Sequence, residues 1–310
     1  MVARTTHSAM EVAFVGAGNM GGAMVERLRE QGVGVAVCDI DPVRQAQAEK
    51  AGANLVGTPA ESAAALCAGG VLFVVVVTAQ QCREVLFGAD GAAPELKPGQ
   101  VVVLCPTIAP ADVEALAQQL QALSIACVDA PLSGGPVRAR DGSMSMMVAG
   151  EPAAVAAAQP WLDRVSGRQF SVGGRAGDGA RTKLVNNLLA AINLAGAAEA
   201  LALASQLGLD PARTLDVIEA SSGQSWIGSD RMRRAIAGQE QPLAHMQLLA
   251  KDSRLAMDEA RAVGVPAKVG DAAQSVFEAA LHAGMAMEDD GALLPWTLAR
   301  AGKTQAPPTD

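Results

Sequence analysis

The run Val12-Ala-Phe-Val15, followed without a break by Gly16-Ala-Gly18-Asn19-Met20-Gly21, constrains this chain more than any other feature. The apolar run predicts a buried strand, and the glycines that follow predict a sharp turn into a helix. In that setting Gly16 permits the turn, Gly18 leaves room for a pyrophosphate, and Gly21 lets helix pack on strand. The helix N-terminus then points backbone N–H groups at phosphate oxygens. Asp39 ends the next apolar run, Val35–Cys38, where a carboxylate accepts hydrogen bonds from an adenosine ribose and repels a 2′-phosphate. The expected cofactor is therefore NAD, with NADP open if Arg44 swings over the same ribose. Asp41, ahead of Pro42, is expected to cap the following helix.

Up to about residue 150 the same alternation repeats. Strands are expected at Val12–Val15, Val35–Cys38, Val71–Val77, Val101–Leu104, Ile125–Val128 and near Ser143–Ala149. Helices are expected at Met20–Gln31, Pro42–Ala51, Pro59–Cys67, Gln80–Phe87 and Pro110–Leu123, three of them opening on a proline that a first helical turn tolerates. After about residue 175 no alternating strand is left, and alanine, leucine and methionine recur at helical spacing. A long helix from about Ala180 to Gln206 is stopped by Gly208, and Asp210-Pro211 starts the next. The pattern predicts an α/β protein, a Rossmann-type doubly wound sheet over 11–175. An all-α substrate and oligomerisation domain over 176–300 follows, joined to it by the long helix. Residues 1–10 and 302–310 are expected to be flexible, the first being a loose terminus with no targeting signal.

Composition removes several classes of function. Lys and Arg number 24 against 32 Asp and Glu, a net charge of −8 that argues against sequence-blind nucleic-acid binding. The apolar stretch Lys183–Leu207 is interrupted by Asn186, Asn187, Asn193 and Glu199, so no membrane span is expected. Cys38, Cys67, Cys82, Cys105 and Cys127 lack CxxC spacing and read as buried reduced thiols of a cytoplasmic protein, with no metal site. The chain has no tyrosine, which excludes a Tyr–Lys dehydrogenase mechanism, and its three histidines are scattered.

Hydride chemistry at an alcohol needs a group that takes and returns the hydroxyl proton. Lys183 is the candidate, in the stretch Gly177-Asp-Gly-Ala-Arg-Thr-Lys183-Leu-Val-Asn-Asn187 that opens the long helix. Asn187 lies one turn on and shares its face. A partly desolvated lysine can serve as acid or base near neutrality. A lysine is also disfavoured by the positive end of a helix dipole, so this one needs a reason to sit there. A second glycine-rich segment, Asp129-Ala-Pro-Leu-Ser133-Gly134-Gly135, is either an ordinary turn or a small anion nest suited to a carboxylate.

With these residues in hand the chain resembles the β-hydroxyacid dehydrogenases, the group of 3-hydroxyisobutyrate dehydrogenase and tartronate semialdehyde reductase, related to 6-phosphogluconate dehydrogenase. Four motifs match in order, beginning with Gly16–Gly21 and Asp129–Gly135. Gly177-x-Gly179-x-x-x-Lys183-x-x-x-Asn187 and Lys251-Asp252 complete the set. The resemblance implies Lys183 as acid/base with Asn187 beside it, and Ser133, Gly134 and Gly135 on a substrate carboxylate. It also implies cofactor contacts from Asn19, Met20, Val76, Val77, Gln81 and Thr107, and from Lys251, reaching in from the α domain. Two departures stand out: Cys105-Pro106 where the family has Ser-Ser, and Ser253 where leucine usually follows Lys-Asp. Val85–Gly88, Ser222–Trp226, Arg231–Arg233 and Glu288–Asp290 resemble the L-threonate dehydrogenase branch, and Trp226 reads equally as packing or as a substrate wall.

The expected activity is an NAD(P)-dependent oxidoreductase on a small hydroxy acid of 3-hydroxyisobutyrate, 2-hydroxy-3-oxopropionate/glycerate or L-threonate type. The alternatives are an imine or semialdehyde reductase on the same scaffold and a non-catalytic nucleotide-binding protein. Related imine reductases generally carry something other than lysine at position 183. Gly196 and the small residues of Ala190–Ala204 suit close helix–helix approach, so a homodimer or homotetramer is expected.

Overall fold

The computed structural model describes residues 10–239 and 241–301. The chain divides into two compact units at Lys183/Leu184. The first unit begins with β1 (Met10–Val15), α1 (Asn19–Glu30), β2 (Val35–Cys38), α2 (Pro42–Lys50), β3 (Asn54–Leu55), α3 (Pro59–Ala64) and β4 (Leu66–Val74). It continues through α4 (Ala79–Phe87), β5 (Val101–Leu104), α5 (Pro110–Ala122), β6 (Ala126–Asp129) and β7 (Leu132–Ser133). The last elements before the long helix α8 (Asp178–Gln206) are α6 (Gly135–Asp141), β8 (Ser145–Ala149), α7 (Pro152–Val165) and β9 (Arg168–Gly173).

The strands form one sheet in the order β3-β2-β1-β4-β5-β6-β8-β7, with β9 paired to β8. β1 to β6 pair in parallel with one another, whereas β8 runs antiparallel to β6 and β7. Strand order reverses between β1 and β4, the switch point where open α/β sheets bind ligands beyond their carboxyl ends. Side-chain alternation puts Val12, Phe14, Val37, Phe73 and Val103 in a core on one face and Ala13, Val15, Leu72, Val74 and Leu104 in a core on the other. Phe14 and Phe73, register partners, stack at 4.8 Å. Burial on both faces is why these strands read as continuous apolar runs.

The fold is the α/β arrangement expected, a doubly wound sheet followed by helices, and its differences of detail have local causes. Met10 is buried and already opens β1; the other residues expected to be flexible, 1–9 and 302–310, lie outside the described residues. β4 starts at Leu66 because Gly69 (φ 75°) and Gly70 carry the strand through an irregularity opposite Met10–Val12. It ends at Val74, so Val75–Val77 form a loop into α4. α7 carries Pro160 in its interior, a residue that argues against a helix in sequence, and β9 is a polar edge strand without the alternation of a buried one. Of the five cysteines, all free, Cys67 and Cys127 are half-buried and the others buried.

The second unit is helical: α9 (Pro211–Glu219), α10 (Trp226–Ile236), α11 (Met246–Ala262), α12 (Lys268–His282) and α13 (Leu293–Ala301). Asp210 caps α9 by accepting from Ala212 N and Arg213 N. The unit's core gathers Ala191, Leu194, Ala198 and Leu201 of α8 with Leu215, Met232, Met246, Phe277 and Leu293. By length and composition alone α8 is apolar enough to cross a membrane, but these residues face protein.

Candidate active site

The turn after β1 has the shape its glycines predict. Gly16 adopts φ 99°, and a Cβ there would collide with the Val75 carbonyl at the end of the neighbouring β4. A Cβ on Gly21 would collide with the Gly16 carbonyl, whereas one on Gly18 would meet open space. Gly18 is the residue before α1, so that space lies at the helix N-terminus, a cradle that fits a dinucleotide pyrophosphate. Asn19 and Met20 form the first turn of α1. Asp39 closes the site laterally: its Oδ2 accepts from Ala17 N at 2.6 Å and its Oδ1 from Asp41 N at 2.8 Å. Arg44 lies alongside, donating to Asn19 Oδ1 at 2.9 Å and to Gln47 Oε1 at 3.2 Å. Asp41 caps α2 through Val43 N.

Val76 and Val77 occupy the loop from β4 to α4, and Gln81 holds its form. Gln81 Oε1 accepts from Val77 N at 2.9 Å and Thr78 N at 3.0 Å, while Gln81 N donates to Thr78 Oγ1. Thr107 is half-buried in the loop from β5 to α5. Ser133 ends β7 opposite Ser145, and Gly134 (φ 128°) and Gly135 (φ 75°) turn the chain into α6. The Arg138 side chain packs over Gly134.

The start of α8 is held from a distance. Gly177 (φ 99°) precedes the helix and has no side chain with which to cap it. Asp129, 1 % exposed at the carboxyl end of β6, does so: its Oδ2 accepts from Gly177 N at 2.8 Å and Ala180 N at 2.9 Å. Its Oδ1 is buried without a hydrogen-bond partner. Burial pushes the Asp129 carboxyl up to about 6 against the pull of the Ala180, Gly177 and Gly179 N–H groups, and the Asp178 charge adds to the rise. The thiols of Cys105 and Cys127 are pushed up by burial and then by the Asp129 charge, so both are poor nucleophiles. Lys183 follows in the second turn of the helix and is 7 % exposed.

In the second unit, Asn187 Nδ2 donates to Asp252 Oδ2 at 2.6 Å, and Asp252 Oδ1 pairs with Lys251 Nζ at 2.9 Å. Ser253, the departure from the expected leucine, is buried with its hydroxyl donating to the Ala250 carbonyl. A buried ion cluster lies further along: Arg231 Nε donates to Asp290 Oδ1 at 2.7 Å, and Arg234 sits 2.9 Å from Asp289. Trp226 opens α10 after the Ser225 cap, 44 % exposed, with its ring 5.8 Å from the Arg231 guanidinium.

Residues 11–174 match the family model of the NAD binding domain of 6-phosphogluconate dehydrogenase, and residues 177–297 match that described as "NAD-binding of NADP-dependent 3-hydroxyisobutyrate dehydrogenase". An L-threonate dehydrogenase of Cupriavidus necator is 35 % identical over 283 residues, 91 % of this chain and 94 % of that one. The chain belongs to the β-hydroxyacid dehydrogenase family. A 3-hydroxyisobutyrate dehydrogenase of Pseudomonas aeruginosa is 34 % identical, over 91 % of this chain and 95 % of that one. A crystal structure of a 3-hydroxyisobutyrate dehydrogenase from Salmonella typhimurium superposes with a TM-score of 0.85 at 34 % identity, covering 92 % and 99 % of the two chains.

As a β-hydroxyacid dehydrogenase the protein binds NAD(P) and acts on a CH–OH group, and the open space at Gly18 suits that cofactor. The first unit gathers Gly16–Gly21, Asp39, Val76 and Val77 around adjacent strand ends. Two carboxylates escaped sequence reasoning although both stood inside quoted motifs. Asp129 binds the α8 backbone, and Asp252 links Lys251 to Asn187. Their signal was an acidic residue at a position expected to be buried, beside polar side chains of the motif.

Proposed function

We propose that the protein oxidises a small hydroxy carboxylic acid of L-threonate type, with Lys183 carrying the proton. The observation that carries this reading is a buried lysine in the second turn of a helix whose opening is pinned to the carboxyl end of the sheet, on the side where the cofactor turn lies. In the direction of oxidation the neutral Lys183 amine takes the hydroxyl proton as the carbinol hydrogen departs as hydride; in reduction the ammonium returns it. The bound nicotinamide supplies the hydride acceptor or donor. Asn187 orients the lysine or the substrate hydroxyl, held in turn by Asp252. Ser133, Gly134 and Gly135 anchor the substrate carboxylate, which fixes the carbon presented for transfer. Gly16, Gly18, Asn19, Met20, Gly21, Val76, Val77, Thr107 and Lys251 serve the cofactor, and Gln81 does so by shaping its loop.

The Asp39 carboxylate supports NAD over NADP, because a 2′-phosphate beside it meets like charge. Arg44, tethered at Asn19, is the group that would answer that repulsion. The protein is proposed to work in the cytoplasm, where five free thiols are stable. It is also proposed to be a homodimer or homotetramer. Val185, Leu189, Gly196, Ala200 and Leu203 are exposed on α8, Leu207 is exposed just beyond its end, and Ile192 is half-buried. Together they form one apolar stripe with an eleven-residue repeat, which keeps to a single face of a helix.

The test is a panel of L-threonate, D-glycerate, 3-hydroxyisobutyrate and 4-hydroxybutyrate with both cofactors. Oxidation of L-threonate with NAD at the highest kcat/KM is expected. NADH binding without turnover of any acid would refute the reading, and a clear NADP preference would remove Asp39 as the discriminating group.

A further inference from the structure

We propose that Asp129 is the positioning residue for Lys183: its carboxylate holds the first turn of α8 against the end of β6 and thereby fixes the lysine's place. The inference rests on the acid/base role proposed for Lys183.

A helix leaves its first N–H groups unpaired, and the residue ahead of it ordinarily supplies the cap. Here that residue is Gly177, and the cap comes from a strand 48 and 51 positions away in the chain. Gly179 shows how close the two elements lie. A Cβ there would be 2.8 Å from the Met147 carbonyl of β8 and 2.9 Å from the Asp129 carboxylate. Gly179 and Lys183 are four residues apart, on one helix face. The face that carries the lysine is therefore pinned one turn before it, and the glycine of the Gly179-x-x-x-Lys183 motif is explained by contact with Asp129.

A buried carboxylate is a demanding choice for this task. Serine or asparagine would cap a helix without the desolvation of a charge. What only the carboxylate brings is a fixed negative charge at the positive end of the α8 dipole, which otherwise disfavours an ammonium in the opening turns. Asp178 of α8, Cys105 after β5 and Cys127 of β6 interact with it, and Arg175 and Arg181 lie at the same helix opening, each paired with Asp178. Asp129 thus supplies the anchor and, together with Asp178 of the first turn, the negative charge that offsets the dipole beside a lysine at this end of the helix.

Two variants of the full-length protein separate these parts. Asp129→Asn keeps an oxygen for the two N–H groups and removes the charge; Asp129→Ala removes both. In Asp129→Asn, NADH affinity is expected to stay within about twofold of the parent while kcat falls roughly 10-fold to 100-fold. The parent's kcat–pH profile is expected to have an inflection near pH 6, and that of Asp129→Asn to lack it. In Asp129→Ala the amides of residues 177–180 should exchange hydrogen about tenfold faster or more. Unchanged kcat in both variants would overturn the proposal, as would unchanged exchange in Asp129→Ala. So would a kcat loss matched by an equal loss of NADH affinity, which marks a merely structural role. If Asp129→Ala does not fold, Asp129→Asn decides through kcat and its pH profile. If the parent oxidises no hydroxy acid, the proposed function fails, and hydrogen exchange alone still decides whether Asp129 holds α8.

Discussion

Replacing Asp129 by asparagine should change how stability depends on pH, by an amount that follows from its burial. The carboxyl titrates near 3.8 when solvated and at about 6 in the folded protein. The folded state therefore binds this proton more tightly than the unfolded chain. Its contribution to stability is fully present below about pH 4, falls as pH rises, and is gone above about pH 6. Two pKa units at 1.36 kcal/mol each amount to about 3 kcal/mol over the full window. Between pH 7.5 and pH 5 the same relation yields about 1.4 kcal/mol. The asparagine has no proton to bind, so the parent should gain that much relative to Asp129→Asn as pH falls across the interval. Asp290, whose carboxyl burial also raises to about 6, is present in both proteins and cancels in the difference. Urea unfolding at fixed ionic strength measures it. Replacing Trp226 and Trp296 by phenylalanine would leave Trp161 of α7 to report the first unit alone. A parent-minus-variant difference that stays flat between pH 7.5 and pH 5 would refute the argument, because it would mean that Asp129 titrates as a solvated carboxylate.

Arg231→Leu leaves Asp290 buried with only Arg234, 3.8 Å away, to oppose its charge, and should destabilise the second unit by about 3 kcal/mol at pH 7.5. The loss should shrink at pH 5, where Asp290 is protonated, and urea titrations at the two pH values read both parts. Leu189→Glu with Leu203→Glu places two charges on the exposed stripe of α8 and should lower the molar mass seen by light scattering. An unchanged mass would remove that stripe as the contact between copies.

The sheet was legible because its strands are buried on both faces and its turns carry glycine or proline where the backbone demands them. The cofactor turn, the start of α2 and the long helix all follow from that chemistry. What escaped has physical reasons of its own. α7 has a proline in its interior, which reads as a helix breaker, and β9 is a polar edge strand. Local spacing could not foresee that Asp129 would cap a helix some fifty residues later, because that contact depends on β6 and α8 meeting in the folded sheet. Asp252 was visible as half of a Lys-Asp pair, but its bond to Asn187 joins two helices 65 residues apart. Arg231 and Asp290 stood in two stretches noted for resemblance, and their pairing makes those stretches one buried cluster.

Lys183→Ala tests most directly whether one buried amine moves the proton. With an accepted hydroxy acid, pre-steady-state hydride transfer should slow by roughly 100-fold or more while NADH affinity stays that of the parent. Hydride transfer at the parental rate in Lys183→Ala, with the parental pH profile, would contradict the account.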